Sequence, residues 1–464
     1  MTKNEVVTAR IADISETGEG IGHVTGGPDD GFTVFVKDTV PGDLAEVKII
    51  KPKKNYAYAR LVRVVTPSPD RVEAACPIAR QCGGCQLQEM SFQAQLAMKT
   101  EKVRRCLERI GHFEDAEALM ESIIAPEHPW RYRNKSLIPI AVGKDGKPVA
   151  GFFAGRTHSV IPCTDCLLGP GENKQILETI LHWMEKNRVS AYDEEKNTGL
   201  VRNVLIRKGF ATGEIMVCLV INGKRIPAAQ ALISGLECIN GMTGIALCVN
   251  TKRTNVVMTD DVRTLWGQSY ITDILRSEKY KTSVMYRISP NSFYQVNHDQ
   301  AERLYEKVLD YAKLTGNETV MDLYCGTGTI SLFLARHAKE VVGVEIVEQA
   351  VKDARANAER NSIGNASFYT GKAEEVVPRL YAEKHLHSDV VVVDPPRKGC
   401  DEKLLKTILG MKPERVVYVS CNPATLARDL RILADGPFTL EKVTPCEQFS
   451  QTTHIESVTL LTRK

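Results

Sequence analysis

Four short motifs in the C-terminal third of the chain carry the residue types that group-transfer chemistry uses. In chain order they are Asp322–Thr329 (DLYCGTGT), Asp394–Gly399 (DPPRKG), Val419–Pro423 (VSCNP) and Gln451–Glu456 (QTTHIE). The first contains two glycines separated by one residue, the third a cysteine, and the second and fourth carboxylates. Because a thiol is a nucleophile and a carboxylate is a general base, the set predicts covalent catalysis beside a bound ligand.

The glycine motif predicts a nucleoside-binding turn. Gly326 and Gly328 follow an apolar strand, where glycine permits a tight turn into a helix and the close approach of a ligand. Glu345 ends the next predicted strand, in VVGVEIV, where a carboxylate is placed to accept hydrogen bonds from ribose hydroxyls. The run GTGTIS lacks the third glycine of a dinucleotide motif. We therefore expect S-adenosylmethionine, which has a nucleoside but no pyrophosphate.

The other three motifs supply candidate reacting groups. Asp394 precedes two prolines, which cannot continue a central strand, so the chain must leave the sheet there. Cys421 lies between a predicted strand and a predicted helix, where helix-terminal amides lower the pKa of a thiol. Glu456 could serve as a general base beside such a nucleophile. Taken singly, these are a strand-ending turn, a core cysteine and a surface carboxylate, and their combination favours function.

A βαβ pattern from about residue 299 must position these groups. The predicted elements are helix 300–313, strand 319–323, helix 330–336, strand 340–344, helix 349–361, strands 390–394 and 415–419 with a helix between them, and strand 457–462. Apolar strands that alternate with helices predict a parallel sheet covered on both faces. Ligands bind such sheets at the carboxyl ends of the strands, where the motifs fall.

Two regions precede this C-terminal α/β domain, which we assign to residues 288–464. Residues 1–66 contain short apolar runs between Gly, Pro and Asp turns, a pattern that predicts an OB-like β-barrel. Residues 67–287 mix strand-like runs with a helix near 172–187, and we expect an α+β central domain. A helix predicted over 92–110 could pack on the C-terminal domain.

Basic side chains lie beside aromatic ones in two places, which favours contact with nucleic acid. Lys51, Lys53, Lys54 and Arg60 surround two tyrosines of the barrel, and Arg131 and Arg133 flank a tyrosine of the central domain. Cations neutralise phosphates and aromatic rings stack on bases. The plainer interpretation in both places is a solvated basic strand.

Five cysteines are spaced as metal ligands. Cys76, Cys82 and Cys85 are separated by five and two residues, and Cys163 and Cys166 follow at a distance. Four thiolates could hold zinc or an iron–sulfur cluster, and the spacing alone does not decide between them. Unrelated buried cysteines are the alternative.

Composition limits the remaining classes. The chain has 464 residues, enough for two or three domains, and 60 basic against 57 acidic side chains give a formal net charge of +3. That balance argues against a polycationic tail protein. With no apolar N-terminal segment and no run long enough to span a membrane, we expect a cytoplasmic protein. Disulfides are rare in that compartment, so the thirteen cysteines indicate metal or catalytic chemistry first.

Together the motifs resemble the RNA uracil-5-methyltransferase family. The runs DLYCGTGTIS, DPPRKG, SCNP and QTTHIES, with Ile288–Asn297 (ISPNSFYQVN), resemble that family's methyltransferase domain over residues 288–464. The N-terminal barrel resembles a TRAM domain, an RNA-binding module. A TRAM domain with a cysteine cluster is similar to the branch that modifies 23S ribosomal RNA.

The resemblance implies a role for each residue. Cys421 would be the nucleophile and Glu456 the base, and the contacts to S-adenosylmethionine or the target base would come from Gln295, Tyr324, Gly326, Glu345 and Asp394. It also implies a [4Fe–4S] cluster on Cys76, Cys82, Cys85 and Cys166, with Cys163 as the alternative fourth ligand. The expected protein is a monomeric enzyme that methylates C5 of a uridine in 23S ribosomal RNA. The alternatives are the same reaction on tRNA and a non-catalytic RNA-binding iron–sulfur protein.

Overall fold

The computed structural model describes residues 1–155, 157–384 and 387–464. These form two compact units. The first comprises Met1–Lys99, Phe152–Ile161 and Phe449–His454, and the second comprises Thr100–Gly151, Pro162–Gln448 and Ile455–Lys464. The domain boundaries that we place after residues 66 and 287 stay predictions. Within the described ranges, no helix has the length and apolar character that a membrane crossing requires.

A closed five-stranded barrel begins the first unit, as predicted. Its strands are β1 (Val6–Ile14), β2 (Gly20–Val24), β3 (Thr33–Lys37), β4 (Leu44–Pro52) and β5 (Tyr56–Thr66), in the order β1-β2-β3-β5-β4. Alternate residues point inward, so small and β-branched side chains such as Val34, Val47 and Ala57 are fully buried in the interior.

Strand β2 lies inside a glycine-rich segment whose composition indicates turns. Its glycines let the strand pass close to its neighbours. A Cβ on Gly20 would lie 2.1 Å from Thr39 Oγ1, and one on Gly22 would lie 2.9 Å from Ile11 Cδ1. Glycine here serves close packing in a small barrel rather than a loop.

The central part of the chain forms a mixed sheet with helices. Its elements are α1 (Phe92–Arg109), α2 (Ala116–Leu119), β6 (Lys135–Val142), β7 (Pro148–Phe153), β8 (Val160–Pro162), α3 (Glu172–Lys186), β9 (Val201–Lys208), β10 (Ile215–Ile221), α4 (Ala229–Leu236), β11 (Met242–Val249) and β12 (Val262–Gly267). The seven strands run in the order β12-β11-β10-β9-β6-β7-β8. Strand β10 is buried along its whole length, as a central strand must be.

The C-terminal part contains the α/β sheet. After a hairpin of β13 (Ile271–Ser277) and β14 (Thr282–Ile288) come α5 (His298–Ala312), β15 (Thr319–Leu323), α6 (Thr329–Ala335), β16 (Glu340–Glu345), α7 (Glu348–Arg360), β17 (Ala366–Thr370), α8 (Ala373–Lys384), β18 (Val390–Val393), α9 (Glu402–Met411), β19 (Arg415–Ser420), α10 (Pro423–Asp435), β20 (Phe438–Cys446) and β21 (Glu456–Arg463). The strand order is β17-β16-β15-β18-β19-β21-β20.

This sheet is mixed, which corrects the all-parallel prediction. Strands β15 to β19 are parallel, whereas β21 pairs antiparallel with both β19 and β20. Two buried clusters fill its faces, and the second includes Val103 and Leu107 of α1. The interior strand β18, Val-Val-Val-Val, is fully buried because helices cover it on both sides.

Candidate active site

The predicted chemical groups converge on one edge of the C-terminal sheet. Asp394 and Cys421 each follow the last residue of a parallel strand, and Glu345 is the last residue of another. Because parallel strands end at the same edge, these groups share that edge. Glu456 reaches it differently, as the first residue of antiparallel β21.

The glycine-rich turn follows β15 directly. Tyr324 and Gly326 both have a positive φ, 70° and 55°, so the chain turns sharply there. The Glu345 carboxylate fastens the turn, because its Oε2 accepts a hydrogen bond from Gly326 N at 3.1 Å and its Oε1 accepts one from Val347 N at 2.9 Å. Further lone pairs on both oxygens stay available to a ligand's hydroxyls.

The surroundings of this turn fit S-adenosylmethionine. A Cβ on Gly326 would have nothing within 4 Å, so the turn borders open space. Ile346 beside Glu345 is 59% exposed and offers an apolar surface for a flat base. Asp322 is fully buried, and its Oδ1 has no hydrogen-bond partner among the described residues, so it can accept one from a ligand.

Cys421 and Glu456 are brought together by strand register. The antiparallel ladder of β19 and β21 pairs Arg415 with Thr462 and ends with Ser420 opposite Ser457. Cys421 and Glu456 are the next residues beyond that last pair, and the charge of Glu456 raises the pKa of Cys421. A nucleophile and a base are therefore neighbours at the same edge of the sheet.

The Cys421 thiol has a raised pKa, which corrects the expectation of a lowered one. Burial and the charges of Glu456 and Asp394 raise the pKa of Cys421 to about 11, although Arg397 and a backbone hydrogen bond lower it. The helix-terminal amides that the sequence indicates are thus outweighed. The raised pKa favours the neutral thiol form of Cys421 at pH 7 in the free protein.

The neighbouring carboxylates are also shifted. Burial and the charge of Asp322 raise the pKa of Asp394 to about 7. Burial and the charge of Asp394 raise the pKa of Glu456 well above its ordinary range, and Arg397 opposes that rise. Arg397 is the residue that sequence reasoning missed, although it lies in a motif already identified. Its guanidinium influences both the thiol and the base.

Helix α10 holds the loop that carries Arg397. Asn422 caps the helix, and its side-chain oxygen accepts a hydrogen bond from Ala424 N at 3.0 Å. Asn422 Nδ2 and Thr425 Oγ1 donate to the carbonyl oxygen of Arg397 at 3.3 and 3.2 Å. Arg428 Nη2 donates to the carbonyl oxygen of Lys398 at 3.0 Å. The helix that starts beside Cys421 therefore fixes the backbone of the Asp394–Gly399 loop.

Tyr324 and Gln295 lie on the same side of the fold as these groups. Tyr324 is half-buried, and burial together with the charge of Cys400 raises the pKa of its hydroxyl. Gln295 is buried in the segment between β14 and α5. That segment meets the glycine-rich turn, since Thr327 Oγ1 donates to the carbonyl oxygen of Phe293 at 3.5 Å.

In the first unit, the cysteine-rich loop contacts the segment that leads to Glu456. The backbone amides of Gln86 and Leu87 donate to the carbonyl oxygen of Gln451 at 2.9 and 3.1 Å. Gln95 Nε2 donates to Gln451 Oε1 at 3.1 Å. Gln451 has a φ of 71°, a strained conformation that these contacts maintain.

The expected metal cluster is not confirmed. Cys76, Cys82, Cys85, Cys163 and Cys166 are all partly exposed. Across the three described ranges, no group of three or more His, Cys, Asp or Glu side chains is arranged to hold a metal ion. The cluster therefore stays a prediction.

The predicted RNA contacts differ in their surroundings. Lys51, Lys53, Lys54 and Arg60 are exposed on the barrel. Arg131 instead donates to Asp165 Oδ1 at 2.6 Å and to the carbonyl oxygens of Cys166 and Gly169 at 3.1 and 3.2 Å. These contacts favour a bracing role for Arg131. Arg133 is half-buried and forms a β-bridge with Asn297.

The chain is similar to known RNA methyltransferases. Residues 248–464 match the family model described as tRNA (Uracil-5-)-methyltransferase, and residues 1–62 match that of the TRAM domain. An RNA methyltransferase of Halalkalibacterium halodurans is 46% identical over 100% of this chain and 98% of its own. One of Clostridium tetani is 44% identical over 99% and 97%. Both are described as uncharacterised.

A solved structure is similar over almost the whole chain. The Pyrococcus abyssi tRNA (uracil-54, C5)-methyltransferase, in complex with S-adenosyl-L-homocysteine, is 27% identical with a TM-score of 0.77, covering 98% of this chain and 99% of that one. The fold and site define an S-adenosylmethionine-dependent RNA methyltransferase with an N-terminal TRAM domain. The chain belongs to the RNA uracil-5-methyltransferase family.

We expect the buried carboxylate of Asp394 to lower stability at high pH and to be required for activity. Its pKa is raised from 3.8 to about 7, so its stabilising contribution is complete below pH 3.8 and is lost as the pH rises through 7. Asp394→Asn should therefore raise the free energy of unfolding at pH 8 by about 2–4 kcal/mol and remove activity. Urea unfolding at pH 5 and 8 measures the difference, which should be larger at pH 8.

Asp260→Asn is the matched control, because Asp260 is exposed and its change should alter stability little at either pH. A difference between wild type and Asp394→Asn that does not depend on pH would contradict the assignment of a raised pKa to Asp394.

Proposed function

We propose that this enzyme methylates C5 of a uridine in 23S ribosomal RNA, with Cys421 as nucleophile and Glu456 as base. The observation that carries the proposal is that Cys421 and Glu456 adjoin the last pair of the β19–β21 ladder, Ser420 and Ser457, where the charge of Glu456 raises the pKa of Cys421. We further propose that it acts as a monomer in the cytoplasm. The same reaction on tRNA is the second candidate, which the similarity to the P. abyssi tRNA methyltransferase favours.

The chemistry of uracil requires such a pair. C5 of uracil is a weak nucleophile. Addition of the Cys421 sulfur to C6 converts the uracil ring into an enolate whose C5 is nucleophilic. S-adenosylmethionine supplies an electrophilic methyl group when bound. After C5 has gained the methyl group and S-adenosyl-L-homocysteine has been formed, Glu456 removes the C5 proton, the electrons of that bond form the C5–C6 double bond, and the C6–S bond breaks to release the Cys421 thiolate.

The electrostatics of the free protein suit this sequence of steps. A neutral Cys421 is protected from side reactions until the target uridine displaces water from the site. The proton of the thiol must then leave, and Arg397 is the cation that favours the resulting thiolate. The raised pKa of Glu456 makes its carboxylate a stronger base for the C5 proton than an exposed glutamate.

Tyr324, Gly326, Glu345, Asp394 and Gln295 are the groups that we propose bind the cofactor or the target base. Gly326 borders the open space of the turn, and Glu345 presents both carboxylate oxygens beside it. Gln295 lies on the segment that Thr327 links to the same turn. The target nucleotide must be unpaired or flipped to reach Cys421, because C6 is inaccessible in a stacked helix.

The first prediction of this mechanism is a trapped covalent adduct. Glu456→Gln should accumulate a protein–RNA adduct that survives denaturing electrophoresis, because methyl transfer proceeds but the C5 proton stays. Cys421→Ala should form no adduct and should lose at least about a thousandfold in rate. Cys238→Ala, which removes an exposed cysteine after α4, should keep the activity.

The same assay identifies the substrate when fragments of 23S ribosomal RNA and tRNA transcripts are offered with labelled methyl donor. Methylation of tRNA alone would replace the ribosomal proposal with the second candidate. An adduct that persists in Cys421→Ala would exclude Cys421 as the nucleophile.

The barrel offers a surface for single-stranded RNA. Phe35, Tyr56 and Tyr58 have ring centroids 5.5–5.7 Å apart, and exposed Lys51, Lys53 and Lys54 lie beside them. Parallel pairing of β3 with β5 aligns Phe35 with Tyr58 and Lys37 with Arg60. We name this set of aromatic and basic side chains the barrel surface. Such a surface suits bases that stack and phosphates that pair with lysine.

Removing three lysines of the barrel surface should weaken RNA binding through electrostatics. The Lys51→Ala, Lys53→Ala, Lys54→Ala triple variant should bind about tenfold less tightly at low salt, and its slope of log K against log salt should fall by up to about 2. Filter binding over a salt series measures both. The control triple variant removes Lys403, Lys406 and Lys412, exposed on or beside α9. Equal losses in the two triple variants would contradict a specific barrel surface.

We also propose that Cys76, Cys82, Cys85 and Cys166 bind a [4Fe–4S] cluster. Two features support this: the donor set is all thiol, and the partly exposed upstream cysteines lie on a long segment between β5 and α1 with little regular structure. The thiolates would hold the cluster as a structural group, since methyl transfer needs no electron transfer.

Anaerobic purification should then yield a coloured protein with about four iron and four sulfide ions per chain. Cys82→Ser should lose both, whereas Cys238→Ser, which changes an exposed cysteine elsewhere, should keep them. Comparison of Cys163→Ser with Cys166→Ser identifies the fourth ligand. Stoichiometric zinc without sulfide would refute the cluster.

A further inference from the structure

The segment between β14 and α5, residues 289–297, is held by buried polar groups that the reaction itself does not require. It carries Gln295, and it also presents Phe293, whose side chain is 65% exposed. Such a segment would be expected to move, because an exposed aromatic residue on a connection gains little from packing. Contacts with Arg207, Asn134 and Asp273 keep it in place.

Arg207 holds the start of the segment. This residue of β9 is 1% exposed, and its Nη2 donates to the carbonyl oxygens of Ser292 and, at 3.2 Å, of Pro290. Its Nε has no hydrogen-bond partner among the residues that the structure describes. Burial of a cation against carbonyls is unfavourable for stability, which indicates that the contact serves position.

Asn134 holds the middle of the segment. It is buried immediately before β6, and its Nδ2 donates to the carbonyl oxygen of Gln295 at 2.8 Å. Its backbone N–H donates to the carbonyl oxygen of Val296, also at 2.8 Å. One residue thus fixes the backbone at Gln295 and at the next position.

Asp273 holds the end of the segment. Its carboxylate, fully buried on β13, accepts hydrogen bonds from Tyr294 Oη at 3.3 Å and from Ala211 N at 2.9 Å, and lies 3.0 Å from His298 Nδ1. Although burial lowers the pKa of His298, hydrogen bonds to Asp273 and Glu302 raise it to about 10. The His298 ring is therefore charged at neutral pH. Asp273 thus contacts Tyr294 and His298, which lie before and after Gln295 in the chain.

We infer that Arg207, Asn134 and Asp273 are positioning residues that set Gln295 for binding of the methyl donor. This inference rests on the proposed role of Gln295 in the cofactor site. The three residues come from three different strands or strand ends. Arg207 and Asn134 contact the backbone of residues 289–297, and Asp273 contacts the side chains of Tyr294 and His298. An Asp273 or Arg207 needed only for stability would be better replaced by an apolar side chain at these fully buried positions.

The test measures the affinity of the protein for S-adenosyl-L-homocysteine by calorimetry. Gln295→Ala should weaken binding about tenfold. Asn134→Ala, Asp273→Asn and Arg207→Gln should each weaken it about 3- to 10-fold, the effect of one lost hydrogen bond. When any of them is combined with Gln295→Ala, the double variant should bind no more weakly than Gln295→Ala alone, because a misplaced Gln295 and an absent one are equivalent.

Glu121→Gln is the matched control. Glu121 accepts hydrogen bonds from Lys307 and Lys442 at 3.0 and 2.6 Å, away from the segment, so its change should affect stability and leave the affinity unchanged. Should Arg207→Gln fail to fold, Asn134→Ala decides, because it removes one side-chain amide only.

Each outcome has a separate meaning. If Gln295→Ala binds more weakly but the variants of the positioning residues keep wild-type affinity, this inference alone is overturned. It is also overturned if their losses of affinity add to the loss caused by Gln295→Ala. Wild-type affinity in Gln295→Ala would overturn the proposed role of Gln295 and this inference with it.

Discussion

The active site depends on one antiparallel strand at the end of a parallel sheet. Parallel strands deliver their last residues to one edge, and β18 and β19 deliver Asp394 and Cys421 there. An antiparallel neighbour delivers its first residue to that same edge, which is how Glu456 enters from β21. A base carried by a further parallel strand would need another crossover connection. A single reversed strand instead brings the base to the edge where β19 delivers the nucleophile.

That arrangement concentrates buried carboxylates around a thiol. Each of Asp394 and Glu456 raises the pKa of Cys421, and Asp322 raises the pKa of Asp394. The guanidinium of Arg397 opposes this rise, and the backbone of its loop accepts hydrogen bonds from the helix that begins after Cys421. In the free protein, the raised pKa values of Cys421 and Glu456 favour their protonated forms, although both groups must lose a proton for the reaction. Substrate binding has to supply the remaining change, since stacking and hydrogen bonds to uracil are made only in the complex.

Much of this could be read from the sequence, because strand-ending motifs are local. The glycine turn, Asp394 with its prolines, and Cys421 before α10 all lie where the pattern of apolar strands places them. The sequence pattern does not predict strand β20, and a register shift between Leu440 and Lys442 explains why: it interrupts the alternation of buried and exposed residues. Helix α8 also escapes prediction, since Pro378 lies inside it.

The electrostatics could not be predicted, because they depend on burial by distant segments. Nothing local to SCNP indicates that Glu456, thirty-five positions later, faces the thiol. The same holds for Arg207, which in sequence is an ordinary basic residue of a strand and in the structure holds the carbonyls of Pro290 and Ser292. Polar residues that act through backbone contacts leave no side-chain pattern in sequence. Such residues can be recognised only when the fold shows which segments they contact. The contacts around Gln295 are therefore visible in the structure alone, whereas the reacting pair can be found from the sequence motifs.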